Sequence, residues 1–256
     1  MSLRSLEKYG KGVGRIFIAG YCPEWLSDNV IKVPFIQPYE MPRNLAEKHI
    51  NMISTVLYAV SNTDIDNEFL LSMDDHIFIR PTDFDNYPFY TKKFGEFDHL
   101  PQKDTIQCNS EYREFLGDTR IMCEKYNIDK YYLCPHRNMH MSRKIIDECK
   151  PILDEVIEKQ IPCETFAFML NWRHTKYGFD ITSTVDVKIQ NSSQWWKADP
   201  EQTEIISTSD FRIGDKLYNL ILDKFPEMSK YEITDLETYE EIRKRFFNYE
   251  FILKKK

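Results

Sequence analysis

The stretch EFLLSMDDHIFIRP, Glu68–Pro81, contains two apolar runs separated by three consecutive polar residues. The first run has the composition of a buried strand, and the second, Ile77–Ile79, takes the chain back into a core. Asp74, Asp75 and His76 lie between them, where a buried strand would leave its sheet. In open α/β sheets, ligands bind outside the carboxyl ends of strands. We therefore predict a functional site at this turn.

The three polar residues of this turn have the chemistry of a divalent-cation site. Adjacent carboxylates repel each other, and burial costs them hydration. A cation offsets both effects, and oxygen ligands with an imidazole suit Mg²⁺ or Mn²⁺. We predict that Asp74, Asp75 and His76 are metal ligands that hold a phosphorylated compound. The alternative is a polar turn that caps a hairpin, in which Asp75 is an ordinary turn residue.

The composition indicates a folded protein with no general attraction for nucleic acid. The chain has 256 residues, 42% hydrophobic and 14% aromatic, which fits a single α/β domain. The net charge of −7 gives no overall basic field, although a local basic groove stays open. The six cysteines include no CxxC pair, which favours reduced thiols. With no secretory signal and no membrane span in the sequence, we predict a cytoplasmic protein.

The apolar periodicity predicts helices and strands along most of the chain. Asn44 is predicted to cap a helix, with Glu47 as the reciprocal partner of a capping box. Pro151 is predicted to kink or split the helix that Ser142 begins. The other predicted elements are helices at Ser2–Tyr9, Ser110–Tyr126, Glu164–Trp172, Lys216–Lys224 and Leu236–Phe247, and strands at Arg15–Gly20, Val30–Val33 and Tyr131–Cys134.

Two further segments carry candidate catalytic groups. His136 and His140 are four residues apart, but the glutamate of a zinc-protease motif is missing between them. His136 either faces the phosphates or the metal, or it is simply an exposed histidine. Glu164 opens an apolar segment and is the candidate general base, which must be a partly desolvated carboxylate. The alternative is a glutamate that stabilises a helix N-terminus through the dipole.

Four segments, taken in order, resemble the Stealth-type and related capsular sugar transferases. These segments are LRSLEKYGKGVGRIFIAGYCPEWLSDNVIKVPF at 3–35, EFLLSMDDHIFIRPTDF at 68–84, CPHRNMHMSRKII at 134–146 and KFPEMSKYE at 224–232. The family has a comparable first helix and strand, a strand that ends in Asn-Asp-Asp, a histidine-bearing segment and a late Ser-Lys-Tyr-Glu stretch. The chain departs from the family at Ser72 and Met73, where Leu and Asn are common, and it is shorter than many members.

The resemblance implies a GT-A-like, Rossmann-type mixed sheet flanked by helices in a single domain. The nucleotide-sugar half would cover about 1–100 and the acceptor half about 101–256. Asp74 and Asp75 would hold the metal and the donor phosphates, and His136 would match the family's histidine-bearing segment. The loop Gly20–Tyr21 and the polar side chains Lys48 and Asn51 would lie beside the donor nucleotide.

The predicted function is metal-dependent transfer of a sugar from a nucleotide-sugar to an acceptor hydroxyl. The departures from the family favour this reaction over sugar-1-phosphate transfer, which stays open. A glycan is the preferred acceptor, as in polysaccharide biosynthesis, and a hydroxylated base of phage DNA is the second acceptor class. Two rival functions also stay open: carbohydrate binding without catalysis and metal-dependent phosphate hydrolysis.

Overall fold

The computed structural model describes residues 2–91, 110–128, 132–184, 187–189, 194, 203–208, 221 and 223–233. These residues form helices packed against several small sheets. The helices are α1 (Ser2–Tyr9), α2 (Leu45–Asn62), α3 (Ser110–Lys125), α4 (Arg143–Lys159) and α5 (Thr165–Tyr177). The strands are β1 (Gly10–Lys11), β2 (Phe17–Gly20), β3 (Ile31–Pro34), β4 (Glu68–Leu71), β5 (His76–Phe78), β6 (Thr82–Asp83), β7 (Tyr90–Thr91), β8 (Met139–Ser142), β9 (Thr182–Ser183), β10 (Lys188–Ile189) and β11 (Ile205–Thr208).

The sheets contain both parallel and antiparallel pairs. Strand β5 pairs antiparallel with β11, which also pairs in parallel with β10. Strands β4 and β8 are antiparallel, whereas the pairs β2–β3, β1–β6 and β7–β9 are parallel. The mixed α/β class is therefore confirmed. Across the described residues the strands form five separate sheets of two or three strands, so one Rossmann-type sheet stays a prediction.

Three of these pairs join the two predicted halves of the chain. They are β4–β8, β5–β11 and β7–β9, and each combines a strand before residue 100 with one after it. The largest apolar core lies among α2, α3, α4 and α5, and a second core surrounds β5, β10 and β11. The polar turn that follows β4 lies where the chain passes from the β4–β8 sheet to the sheet that contains β5 and β11.

The central stretch differs from its prediction in two respects. His76 is not part of the polar turn, because it begins β5 and its side chain is only 1% exposed. The strands on either side of the turn also do not pair with each other, since β4 belongs with β8 and β5 with β11. The alternative interpretation, a polar turn that caps a hairpin, is therefore wrong, because the turn connects two different sheets.

The capping prediction for α2 is confirmed in one half and wrong in the other. The Asn44 side chain accepts a hydrogen bond from the Glu47 backbone N–H at 2.9 Å. The Glu47 carboxylate does not return to Asn44; it accepts from the backbone N–H of Arg43 at 2.7 Å and from the Arg43 guanidinium. Glu47 therefore satisfies the N–H one residue earlier than a capping box would.

Helix α4 continues through Pro151, so the prediction that this proline splits the helix is wrong. Six apolar side chains of this helix are buried, because they recur at helical spacing on the side facing the core. The predicted helix Leu236–Phe247 lies outside the described residues, as does most of Lys216–Lys224. Of the predicted strand Tyr131–Cys134, residue 131 lies outside the described residues, and Leu133 forms an isolated β-bridge. None of the described helices has the length and apolar character needed to cross a membrane.

The described cysteines are consistent with the predicted reduced state. Cys22, Cys123, Cys134, Cys149 and Cys163 are free thiols, and Cys108 lies outside the described residues. Burial is the main cause that raises the pKa of Cys123 and of Cys149 to about 12. These two thiols therefore stay protonated and serve as small apolar side chains.

The histidine of α2 makes stability depend on pH. The His49 ring packs 4.5 Å from the ring of Phe115, and among the described residues its Nδ1 has no hydrogen-bond partner. Burial, with a smaller contribution from Lys48, lowers the pKa of His49 from 6.5 to about 4. Below about pH 6.5 the unfolded chain binds a proton that the folded chain does not, so this histidine favours unfolding as the pH falls.

We expect the free energy of unfolding to fall less between pH 7 and pH 5 in His49→Leu than in the unsubstituted protein. Leucine keeps an apolar group in this position and cannot titrate. Urea unfolding at the two pH values measures the difference. An equal loss in both proteins would mean that the His49 pKa is the same in the folded and unfolded states.

Candidate functional site

Asp75 is held in place at the start of β5 by the end of β11. Its side-chain Oδ2 accepts a hydrogen bond from Ser207 Oγ at 2.6 Å, and its carbonyl accepts from the Thr208 N–H at 3.1 Å. The Asp75 side chain nevertheless keeps 31% exposure. Asp75 is thus a carboxylate with a fixed orientation that solvent, an ion or a ligand can still reach.

The turn lies at the strand edge typical of ligand sites, although not beside the strand that the sequence indicated. Because β5 is antiparallel to β11, with His76 opposite Ser207, Asp75 lies beside the carboxyl end of β11. The carboxyl end of β10 is at the same edge, since Ile189 is opposite Thr208. Asp74 is exposed in the same turn. Asp75 therefore lies beside the ends of β10 and β11, which come much later in the chain, and Asp74 precedes it in the same turn.

His76 does not have the geometry of a metal ligand. Its Nδ1 accepts the Met73 backbone N–H at 3.3 Å, and a backbone N–H can only donate. A neutral ring then carries its proton on Nε2, which lies 3.8 Å from Asp75 Oδ1. A ring nitrogen binds a metal through its lone pair, and in this tautomer the lone pair is already used at Nδ1. In this tautomer His76 has no lone pair left for a cation, and its Nε2 is too far from Asp75 Oδ1 for a hydrogen bond.

Asp74 and Asp75 are the two carboxylates that remain for the predicted cation site. Within the described ranges, no group of three or more His, Cys, Asp or Glu side chains could hold a metal ion. Mg²⁺ is often bound through only one or two carboxylates, with substrate phosphates and water as the other ligands. Asp74 and Asp75 can supply that smaller set.

The predicted donor-binding residues lie in different surroundings. Gly20 ends β2 with φ of 101°, and Tyr21 after it is 85% exposed. Lys48 is also exposed, but Asn51 is buried, and its side chain bonds the backbone N–H and carbonyl of Tyr39 at 2.9 and 2.7 Å. Asn51 therefore holds the connection before α2.

The two predicted catalytic side chains outside the turn belong to other parts of the fold. His136 is exposed in a bend, and His140 instead packs on Phe89 at 3.9 Å between ring centroids. Glu164 precedes α5 and is 9% exposed, and its backbone N–H donates to the Thr119 hydroxyl at 2.8 Å. Its position at a helix N-terminus fits the predicted interaction with the helix dipole, and its role as general base stays a prediction.

Sequence reasoning missed Ser207, which fixes Asp75, and the whole of β11. The signal is present in TEIIST at 203–208, a run rich in β-branched residues. It also missed a polar cluster at the other end of the β5–β11 pair. This cluster consists of Arg80, Tyr87, Tyr90, Arg137 and Glu204.

No protein-family model and no curated protein matches this chain. The resemblance to capsular sugar transferases therefore stays a prediction from the quoted segments. Two of those segments meet in space: Arg4 of LRSLEKY and Glu232 of KFPEMSKYE form an ion pair at 2.9 Å, with both side chains 1% exposed. Ser229 completes this contact, because its N–H and hydroxyl donate to the Glu232 carboxylate at 2.8 and 2.7 Å.

Proposed function

We propose that the chain is a metal-dependent glycosyltransferase that moves a sugar from a nucleotide-sugar to an acceptor hydroxyl. The observation that carries the proposal is the Asp74–Asp75 turn, where Ser207 orients one carboxylate that stays accessible. A fixed, half-buried acid beside an exposed one is suited to a cation that a diphosphate helps to coordinate. Neither structural ion pairing nor a hairpin turn accounts for this arrangement.

A cation bound by Asp74 and Asp75 would neutralise the negative charge of the leaving diphosphate. The chain contributes the orientation of that site. Ser207 Oγ donates to Asp75 Oδ2 at 2.6 Å, and His76 Nε2 lies 3.8 Å from Asp75 Oδ1. The Ser207 hydrogen bond holds the Asp75 carboxylate in one rotamer, so less reorganisation is needed when the donor binds.

The proposal includes a GT-A-like nucleotide half. The parallel pair β2–β3 supports this nucleotide half. At the carboxyl end of β2, Gly20 adopts a positive φ, and the loop that follows it begins at this edge of the sheet. We prefer a glycan acceptor to a hydroxylated DNA base, since a net charge of −7 opposes DNA. We also place the reaction in the cytoplasm, where nucleotide-sugars and reduced thiols occur together.

We expect one class of nucleotide-sugar to raise the melting temperature in the presence of Mn²⁺ and much less in its absence. A ligand that binds only the folded state stabilises it by about 2.7 kcal/mol at one hundred times its dissociation constant. A thermal-shift screen of nucleotide-sugars, with Mn²⁺ or with a chelator, measures this effect. The matched nucleoside monophosphates are the control, because they lack the diphosphate.

Mass analysis of the product then separates the related reactions. Sugar transfer adds one glycosyl unit to the acceptor, whereas sugar-1-phosphate transfer also adds a phosphodiester. A protein that no nucleotide-sugar stabilises in either condition would contradict the proposal and favour carbohydrate binding without catalysis.

A further inference from the structure

We propose that the buried cluster around Arg137 binds an oxyanion, either a carboxylate or a phosphate group, and that Arg137 and Tyr87 are its ligands. This site is distinct from the Asp75 turn. Glu204, which belongs to the cluster, lies just before β11 and three residues before Ser207, so the two sites are about 10 Å apart along the strand. The proposal requires neither a sugar donor nor a metal.

The first observation is that Arg137 is buried without adequate partners. The residue is 6% exposed, and its Nε has no hydrogen-bond partner among the described residues. The carboxylate oxygen Glu204 Oε2 is 3.8 Å from its Nη1, which is too long for a hydrogen bond. A buried guanidinium normally uses its donors in short bonds to anions or carbonyls.

Arg4 shows what a structural buried arginine is like in this same chain. It is 2% exposed, and its Nε donates to the Glu232 carboxylate at 2.9 Å. Its Nη1 donates to the carbonyls of Phe225 and Pro226 at 3.1 and 3.0 Å. Arg137 lacks a comparable bond at Nε, so its donor capacity is available to a ligand.

The second observation is that the Tyr87 hydroxyl is also buried and unpartnered within the described ranges. The Tyr87 and Tyr90 rings are 5.3 Å apart, and the Arg137 guanidinium lies 4.8 Å from the Tyr90 ring centroid. Burial is the main cause that raises the pKa of Tyr87, and it outweighs the charge and the side-chain hydrogen bonding of the adjacent Arg137, which lower the pKa. The hydroxyl is therefore protonated and can donate a hydrogen bond.

The charges of the cluster indicate an anionic ligand. Arg80 donates to Glu204 Oε1 at 3.2 Å, and the Tyr90 hydroxyl donates to Oε2 at 3.4 Å. Among the described residues, two arginines thus face one carboxylate, which leaves one positive charge to be compensated. The Arg80 and Glu204 side chains are 37% and 24% exposed, whereas Arg137 and Tyr87 are buried. An oxyanion beside Arg137 Nε and the Tyr87 hydroxyl would accept from both of these donors.

The test uses the full chain without metal or nucleotide-sugar. Inorganic phosphate and glucuronate are titrated separately by calorimetry and thermal shift, with glucose as the neutral control. We expect saturable binding of at least one anion and none of glucose, and the stronger of the two identifies the oxyanion. Binding of neither anion would overturn the proposal, and this outcome is independent of whether the chain transfers sugar.

The deciding variant is Tyr87→Phe, which removes only the unpaired hydroxyl. We expect it to weaken anion binding about tenfold, as for loss of a hydrogen bond to a charged group. The ligand-free melting temperature should stay nearly equal, because among the described residues the hydroxyl makes no hydrogen bond of good geometry. Arg137→Met should abolish binding, and Arg120→Met, at an exposed pair with Glu124, is the matched control. Anion binding that Tyr87→Phe leaves unchanged would show that the hydroxyl is not a ligand and overturn the assignment.

Discussion

Replacing Asp75 with asparagine is expected to lower sugar transfer by about a thousandfold while leaving the melting temperature nearly unchanged. A thousandfold loss corresponds to about 4 kcal/mol of transition-state stabilisation, the order expected when a catalytic cation is lost. Asparagine keeps the size of the side chain, and its carbonyl oxygen can still accept from Ser207 Oγ. The substitution therefore removes the charge and preserves the packing.

Steady-state kinetics with saturating Mn²⁺, together with thermal unfolding, measures this effect. Asp28→Asn is the matched control, because that aspartate is fully exposed and pairs only loosely with Lys32, at 3.7 Å. Ser207→Ala should give a smaller loss, since it frees the Asp75 carboxylate without removing its charge. A folded Asp75→Asn variant with near-normal turnover would exclude the cation site at this turn.

Replacing Arg4 with methionine should destabilise the fold by about 3–5 kcal/mol, the cost of leaving a buried charge without its partner. Glu232 would then lose its ion pair inside a site where both side chains are 1% exposed. The carbonyls of Phe225 and Pro226 would also lose a donor. This contact joins α1 to residues 225–232, so its loss should loosen the end of the described chain.

Urea unfolding measures the difference in free energy. Arg15→Met is the matched control, because Arg15 pairs with Asp64 and Asp66 in solvent and its loss should leave the midpoint unchanged. The double variant Arg4→Met with Glu232→Met should recover part of the stability, since both charges are then removed together. An Arg4→Met midpoint equal to that of Arg15→Met would mean that water replaces the ion pair.

The elements that can be predicted from the sequence are those set by local chemistry. The start of α2 follows from Asn44, whose side chain bonds a residue only three positions ahead. Helix α4 follows from apolar residues that recur on one side. The incorrect part of the prediction, the partner of Glu47, also has a cause that is close in sequence. Arg43, four residues before Glu47, offers its carboxylate both a backbone N–H and a guanidinium. A charged partner therefore displaces the expected one.

The parts of the candidate site that depend on remote pairing could not be predicted. The neighbours of Asp75 mark it as chemically unusual, but its orientation comes from Ser207, 132 residues later. The burial of His76 follows in the same way, because β5 becomes part of a sheet only when β11 pairs with it. No local pattern specifies which strand will lie beside another, so the turn can be predicted and its surroundings cannot.

The pairing of β5 with β11 also has a consequence for folding during synthesis on the ribosome. Asp75 is synthesised 132 residues before Ser207. At about 5–20 residues per second, the first half of the chain waits on the order of 10 s for that partner. Throughout this interval the apolar edge of β5 lacks its neighbour, and unpaired strand edges are prone to aggregation. The yield of folded protein should therefore depend on translation rate and on chaperones that cover this edge.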